Sequence, residues 1–165
     1  MDELIAKART LLEALPYIQR FRNQTFAVKY GGSFMESPDP EIRDSVARDV
    51  VFLEAVGINP VVIHGGGKAI TRAMDAAGLQ AHFKNGMRVT DEASVQIVER
   101  VLSHEINPHI VETINKLGGK AQGFSGTEIF RCEPLESHDA DGNVIDLGYV
   151  GTVVEVNAEP LLRCI

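Results

Sequence analysis

The chain has 165 residues, 44% of them apolar and 24% charged, enough for one domain with a real core and ordinary for a soluble protein. Its 23 acidic against 16 basic side chains give a formal charge of −7 with no basic stripe, which excludes a general affinity for nucleic acid or anionic membrane and leaves room for a local anion site. No apolar stretch approaches the ~20 residues of a spanning helix, and Met1-Asp2-Glu3 lacks the basic start of a signal peptide, so the cytoplasm is the expected compartment.

From 2 to 20, Leu4, Ile5, Ala8, Leu11, Leu12, Leu15 and Ile18 recur at three- and four-residue steps and predict an amphipathic helix ahead of the first strand. Pro16 is expected to bend or break it near its end. Pattern alone leaves open whether its apolar stripe packs on its own domain or docks on another subunit. Thr25-Phe26-Ala27-Val28 then reads as a strand that ends at Lys29-Tyr30-Gly31-Gly32-Ser33. Residues 40–56 carry Ile42, Val46, Val50, Phe52 and Leu53, a helix with Gly57 as its stop. Pro60-Val61-Val62-Ile63 reads as a second strand, ending at His64-Gly65-Gly66-Gly67 and followed by a helix over 68–77 that Gly78 stops. This β-α-β order, with a continuous apolar second strand, predicts a parallel sheet buried on both sides.

Asp91 is the expected N-cap of a long helix beginning at Glu92. Val95, Ile97, Val98, Val101, Leu102 and Ile106 carry it to Pro108, after which it resumes towards Leu117 before Gly118-Gly119. A further strand is expected over 120–124. Stretches 129–135 and 149–156 flank Asp139-Ala140-Asp141-Gly142-Asn143, the signature of a hairpin or protruding loop. Asn157 as an N-cap and Pro160 in a first turn announce a helix that has only five residues left to run in, so the chain reads as truncated. Cys132 and Cys164 show no metal spacing and read as ordinary thiols of a reduced compartment.

The two glycine clusters carry the functional signal. In an open α/β sheet, ligands bind outside the carboxyl ends of the strands, and glycines there let backbone N–H groups approach an anion closely. Phosphate or carboxylate is therefore the expected ligand chemistry. Familiar motifs fail letter by letter. Val62 and Ala69 stand where a P-loop needs its first glycine and its Ser/Thr, and Ile70 stands where a dinucleotide fingerprint started at Gly65 needs glycine. Gly123-Phe124-Ser125-Gly126-Thr127 lacks the last glycine of a nucleophile elbow, which argues against a serine hydrolase.

Taken together, Val28-Lys29-Tyr30-Gly31-Gly32, Val62-Ile63-His64-Gly65-Gly66-Gly67 and Phe83-Lys84-Asn85-Gly86-Met87-Arg88-Val89-Thr90, in this order, resemble the amino acid kinase family, and most closely the acetylglutamate kinases within it. A glycine-containing stretch near Ser125 and Gly148-Tyr149-Val150-Gly151 extend the resemblance over most of the chain after Thr25. Lysine-glycine-glycine is shared across the whole family; the 84–90 segment is the specific one. The resemblance implies an α/β fold with an open, mainly parallel sheet sandwiched by helices. It divides the chain into an oligomerisation helix over 1–22 and an acetylglutamate-binding amino-terminal lobe over 23–165, with the nucleotide-binding lobe absent.

The resemblance further implies ATP-dependent phosphorylation of the γ-carboxylate of N-acetyl-L-glutamate in arginine biosynthesis, with ATP and Mg2+ expected for the complete enzyme and neither assigned to this chain alone. Lys29 would contact the transferring phosphoryl group, and Gly31 and Gly32 would offer it N–H donors. Gly65, Gly66 and Gly67 would cradle the γ-carboxylate and the migrating phosphoryl. Arg88 would pair with the α-carboxylate, a task suited to a planar guanidinium fork. The blander alternatives are a lysine that ends a strand, a tight strand-to-helix turn and a solvated arginine. No metal ligand is expected.

His64 reads as a packed strand-end residue, because a carboxylate nucleophile has no proton to lose to a base. His104 and His109 are five apart, off the spacing of a helical metal pair. Lys68, Lys84 and the acidic run over 139–141 read as surface charge. Two stretches depart from the family: Ser33-Phe34-Met35 stands where asparagine-alanine is usual, and Ser125-Gly126-Thr127-Glu128 where lysine-aspartate follows the serine-glycine. Family members are about twice as long, so the isolated chain is expected to be inactive. The alternative function is a catalytically silent domain on the same fold that binds a small acid or another protein. In members that arginine inhibits, an extra leading helix links dimers into a hexameric ring, and a separate contact joins the sheets of two lobes. The resemblance therefore implies a homo-oligomer through helix and sheet-edge contacts, with arginine or PII-protein regulation in the complete enzyme.

Overall fold

A computed structural model of the chain describes residues 1–32, 37–139 and 141–165. The Ser33-Phe34-Met35 departure and Ala140 of the acidic loop lie outside the described residues. The chain divides into two units, Met1–His64 with Thr113–Lys120, and Gly65–Glu112 with Ala121–Ile165.

The first unit opens on helix α1 (Asp2–Phe21), with Asp2 and Glu3 in its first turn and Arg20 in its last, as the helix dipole favours. Of the expected bend or break at Pro16, the break is absent: α1 runs through it as one helix. Pro16 deprives the Leu12 carbonyl of its helical donor, but Leu12 is 67% exposed and water can satisfy that carbonyl. Asn23, at φ 63°, turns the chain and donates its N–H to the Gly57 carbonyl at 2.7 Å. Strand β1 (Thr25–Tyr30) follows.

The single helix expected over 40–56 is two helices, α2 (Pro40–Arg43) and α3 (Ser45–Ala55). Ser45 Oγ donates to the Ile42 carbonyl at 2.7 Å, a local bond of the kind that competes with helical continuation. Gly57, at φ +85°, ends the run and leads to β2 (Asn59–His64). Strands β1 and β2 pair in parallel, Val28 opposite Val62 and Tyr30 opposite His64. The expected burial on both sides is not what the strands show: β1 alternates exposed and covered residues, and Ile63 is 53% exposed. Among the described residues this sheet has only the two strands, so each keeps an open edge. Among the described residues of this unit, Tyr30, Ala47, Val50, Ile58 and Ile114 are the buried apolar ones.

In the second unit, α4 (Gly67–Ala76) is followed by Gly78 at φ +73° and by a hairpin of β3 (His82–Lys84) and β4 (Met87–Val89). Asn85 (φ 51°) and Gly86 (φ 76°) close the hairpin, both left-handed as a two-residue primed turn requires. Asp91 caps α5 (Glu92–Glu99) as expected, its carboxylate accepting the Ser94 N–H at 2.8 Å.

Beyond α5 the helix widens into a π-helical stretch, Arg100–Ile106, and then continues as α6 (Asn107–Lys116), whose last residues belong to the first unit. The expected interruption at Pro108 is absent. Pro108 has no N–H to give, and the wider turns before it, with the Asn107 N–H donating to the Leu102 carbonyl, absorb that loss. Ile70, Met74 and Val101 form the core here, with Leu79, Ile97, Leu102 and Ile106 packed against them.

The strand expected over 120–124 does not form: no strand is assigned there among the described residues. Instead Asn107 Nδ2 donates to the Phe124 carbonyl at 2.8 Å, and the Asn107 side chain occupies the space a Cβ on Gly123 would need. Helix α7 (Gly126–Ile129) leads into β5 (Phe130–Pro134). Short strands β6 (Ser137–His138) and β7 (Val144–Ile145) pair across the Asp139 loop, and β8 (Gly151–Val156) returns antiparallel along β5, which gives the hairpin among the expected alternatives. The last helix, α8 (Glu159–Leu162), is capped at Ala158 rather than Asn157. Asn157 is drawn away from a capping role because its N–H and its side-chain amide bond the carbonyls of Ile129 and Glu128.

Candidate functional site

Lys29 lies one residue from the end of β1, opposite Ile63. Successive strand residues face opposite sides, so the burial of Tyr30 leaves Lys29 on the exposed face. Tyr30 is fixed from its far end, its hydroxyl donating to the Arg43 carbonyl at 2.6 Å, and burial pushes its pKa up. A Cβ built on Gly31 or Gly32 would meet nothing within 4 Å. Among the described residues, packing does not require glycine at either position.

The second glycine cluster lies in the second unit. Gly66 is the N-cap of α4 and supplies no side-chain acceptor, so the positive end of the helix dipole faces this turn. Gly65 and Gly67 have open space where a Cβ would stand, but one on Gly66 would run into Ile106 and Leu102. One glycine of the three is thus needed for packing, and its neighbours are not.

Arg88 is brought directly to this turn. Its Nη2 donates to the Gly67 carbonyl at 3.2 Å and to Thr71 Oγ1 at 2.8 Å, and its Nη1 to Met74 Sδ at 3.2 Å. Its guanidinium carbon lies 4.8 Å from the centroid of the Phe83 ring, a cation–π contact set up by the hairpin, in which Phe83 and Arg88 are direct partners. A guanidinium held beside a helix N-terminus puts two positive fields together, and a carboxylate or phosphate is what such a place attracts. Thr71 and Phe83 were not singled out from the sequence. Their signals were the four-residue step from Gly67 along a helix and the Asn-Gly turn that makes Phe83 face Arg88.

Lys68 and Lys84 are exposed, and His64 ends β2 opposite Tyr30. His104 lies 3.3 Å from Glu99, an ion pair only when the imidazole is protonated. Ser125-Gly126-Thr127-Glu128 has a local structural use: Ser125 and Glu128 form a capping box on α7, with the Ser125 N–H donating to Glu128 Oε2 at 3.0 Å. Among the described residues, no group of three or more His, Cys, Asp or Glu is placed to hold a metal ion, and no helix is long and apolar enough to cross a membrane.

Parallel strands that end in glycine turns, one of these turns at a helix N-terminus beside an arginine, define an α/β protein. The sequence model of the amino acid kinase family matches residues 24–165, and the chain belongs to that family. It is 49% identical over 154 residues to the acetylglutamate kinase of Akkermansia muciniphila, covering 93% of this chain and 51% of that relative. Identity to the acetylglutamate kinase of Geobacter sulfurreducens is 46% over 165 residues, covering 96% and 56%, and to that of Halothermothrix orenii 44% over 167 residues, covering 100% and 56%. The chain therefore spans about half the length of these curated relatives. Among solved structures, N-acetylglutamate synthase from Neisseria gonorrhoeae in complex with coenzyme A and N-acetyl-glutamate shares the fold, with a TM-score of 0.70 and 24% identity over 95% of this chain and 34% of that one.

Proposed function

We propose that this chain belongs to an ATP-dependent kinase that phosphorylates the γ-carboxylate of N-acetyl-L-glutamate in cytoplasmic arginine biosynthesis, and that it supplies the acceptor-binding part of that enzyme. The observation that carries this reading is Arg88 at the glycine turn, 3.2 Å from the Gly67 carbonyl, inside the segment that most specifically resembles the acetylglutamate kinases. In it, Arg88 takes the α-carboxylate and Gly65, Gly66 and Gly67 present backbone N–H groups to the γ-carboxylate.

Phosphoryl transfer to a carboxylate is catalysed mostly by positioning and by neutralising the charge that gathers on the transferred group. Lys29, an exposed ammonium at a strand end, and the unencumbered Gly31 and Gly32 suit that task. ATP would bring the phosphoryl group, and the donors of these three residues, with those of Gly65, Gly66 and Gly67, suit its oxygens. No group of three or more His, Cys, Asp or Glu among the described residues fits Mg2+.

Titration of the folded chain with N-acetylglutamate, glutamate and aspartate, followed by calorimetry or NMR, tests the reading. The acetylated ligand should bind best, and Arg88→Ala should abolish the preference. Equal or absent responses to all three ligands, or an unchanged response in Arg88→Ala, would overturn it in favour of a domain that keeps the fold without the substrate.

A further inference from the structure

We propose that Thr71 is a positioning residue that sets the orientation of the Arg88 guanidinium towards an acidic ligand, an inference that rests on the reading of Arg88 given above. The helical repeat of α4 stacks Gly67, Thr71 and Met74 along one face, and Arg88 lies along that face with one contact to each. The three acceptors are unequal. A thioether sulfur accepts weakly. The Gly67 carbonyl is 3.2 Å away and also accepts the Thr71 hydroxyl at 3.0 Å. Thr71 Oγ1 is the nearest acceptor, at 2.8 Å, and bridges the other two groups by donating to Gly67 while accepting from Arg88.

The face of Phe83 limits the guanidinium in one direction only. A ring quadrupole attracts the cation yet leaves it free to turn about the axis normal to the ring. The hydroxyl of Thr71 removes that freedom. With Nη2 committed to Gly67 and Thr71 and one hydrogen of Nη1 to Met74, the Nε–H and the second Nη1–H have no protein partner among the described residues. These two donors point to different sides of the guanidinium, so a carboxylate meets one of them, and the direction of each is fixed by the Nη2 contacts, of which the one to Thr71 is the shorter. The contact also holds a cation against the positive end of α4, a repulsion that a bound acid relieves.

Two readouts on the chain as it exists test this, with Thr71→Val, which keeps the branched shape and loses the hydroxyl, and Thr71→Ser, which restores it. The first is the Arg88 Nε–H and Nη–H resonances of the ligand-free protein, assigned by their disappearance in Arg88→Lys. They should be sharp and separate in the wild type, averaged in Thr71→Val, and separate again in Thr71→Ser. The second is the dissociation constant for N-acetylglutamate, which should rise about fivefold or more in Thr71→Val, recover in Thr71→Ser, and show no such rise in an Arg88→Lys background. Wild-type resonances together with wild-type affinity in Thr71→Val would overturn the proposal, and so would an equal loss in the Arg88→Lys background. Absence of any binding to the wild type would instead defeat the ligand reading, while the ligand-free resonances would still decide for or against Thr71.

Discussion

Gly66 lies against Ile106 so closely that a Cβ on the glycine would come within 2.5 Å of Ile106 Cδ1, and within 2.9 Å of Leu102 Cδ2. The backbone there is extended, at φ −163°, and any residue could adopt it, so the requirement for glycine is steric. Both opposing methyls come from the π-helical stretch and pack against the core of Ile70, Met74 and Val101, which limits how far they can retreat. Gly66→Ala is expected to destabilise the fold by about 1–3 kcal/mol, as overpacking does. Thermal unfolding followed by circular dichroism checks this, and an unshifted midpoint would mean that the two side chains give way without cost.

The flanking glycines should behave oppositely. Neither Gly65 nor Gly67 has an atom within 4 Å of the position a Cβ would take, and neither has a positive φ. Gly67 is the first residue of α4, where alanine is the better helix former by up to about 1 kcal/mol. Gly67→Ala should therefore fold at least as stably as the wild type and yet bind N-acetylglutamate more weakly, because the added methyl stands where a ligand would approach the backbone. Full affinity in a stable Gly67→Ala would remove this glycine from the proposed binding role.

The elements legible in the sequence were those whose signals are local. The stripe of α1, the Asp91 cap, the parallel pairing of β1 and β2, and the stops at Gly57 and Gly78 follow from periodicity, from element order and from residues that tolerate unusual backbone angles. The Asn85-Gly86 hairpin was legible too, because that dipeptide supplies two left-handed residues in a row, but the motif around it was read for chemistry and not for its turn. What could not be read depends on contacts distant in sequence. The π-helical run accommodates Pro108, the 120–124 segment gives its Phe124 carbonyl to Asn107, and Asn157 is taken by the carbonyls of Glu128 and Ile129 at the end of α7. At the candidate site, the glycines and Arg88 stood out as letters, whereas the grip of Thr71 and Phe83 on Arg88 needed coordinates.

Acid should weaken the start of α5. Hydrogen bonding from Ser94 holds the Asp91 carboxyl below the usual aspartate range. A folded-state pKa below the unfolded one means that the ionised cap stabilises fully above the unfolded value, and that this contribution is lost as pH falls through the folded value. Asp91→Asn keeps a capping oxygen that does not titrate. Between about pH 5 and about pH 3, the wild type should lose stability relative to Asp91→Asn. Denaturation midpoints measured across that range would contradict this if the two proteins ran parallel.

Helix α1 bears on assembly. None of its residues is buried, and Leu4, Leu11 and Leu12 are 68%, 66% and 67% exposed, with Ile5 and Leu15 also on the surface. Pattern alone left open whether this stripe packs on its own domain, and within the described chain it stays uncovered. Burial of a large apolar side chain is worth roughly 1.5 kcal/mol or more, so five such residues meeting a second copy would supply a substantial drive to associate. The charges at the helix ends favour the helix itself, and Glu3 bridges to Lys7 at 2.7 Å. An oligomer larger than a dimer is expected in solution, falling to a dimer when residues 1–20 are deleted and only the sheet-edge contact implied by the family resemblance would remain. Light scattering coupled to size exclusion measures both masses. A monomeric full chain, or a mass per assembly that keeps the same copy number after deletion, would show that α1 takes no part in holding copies together.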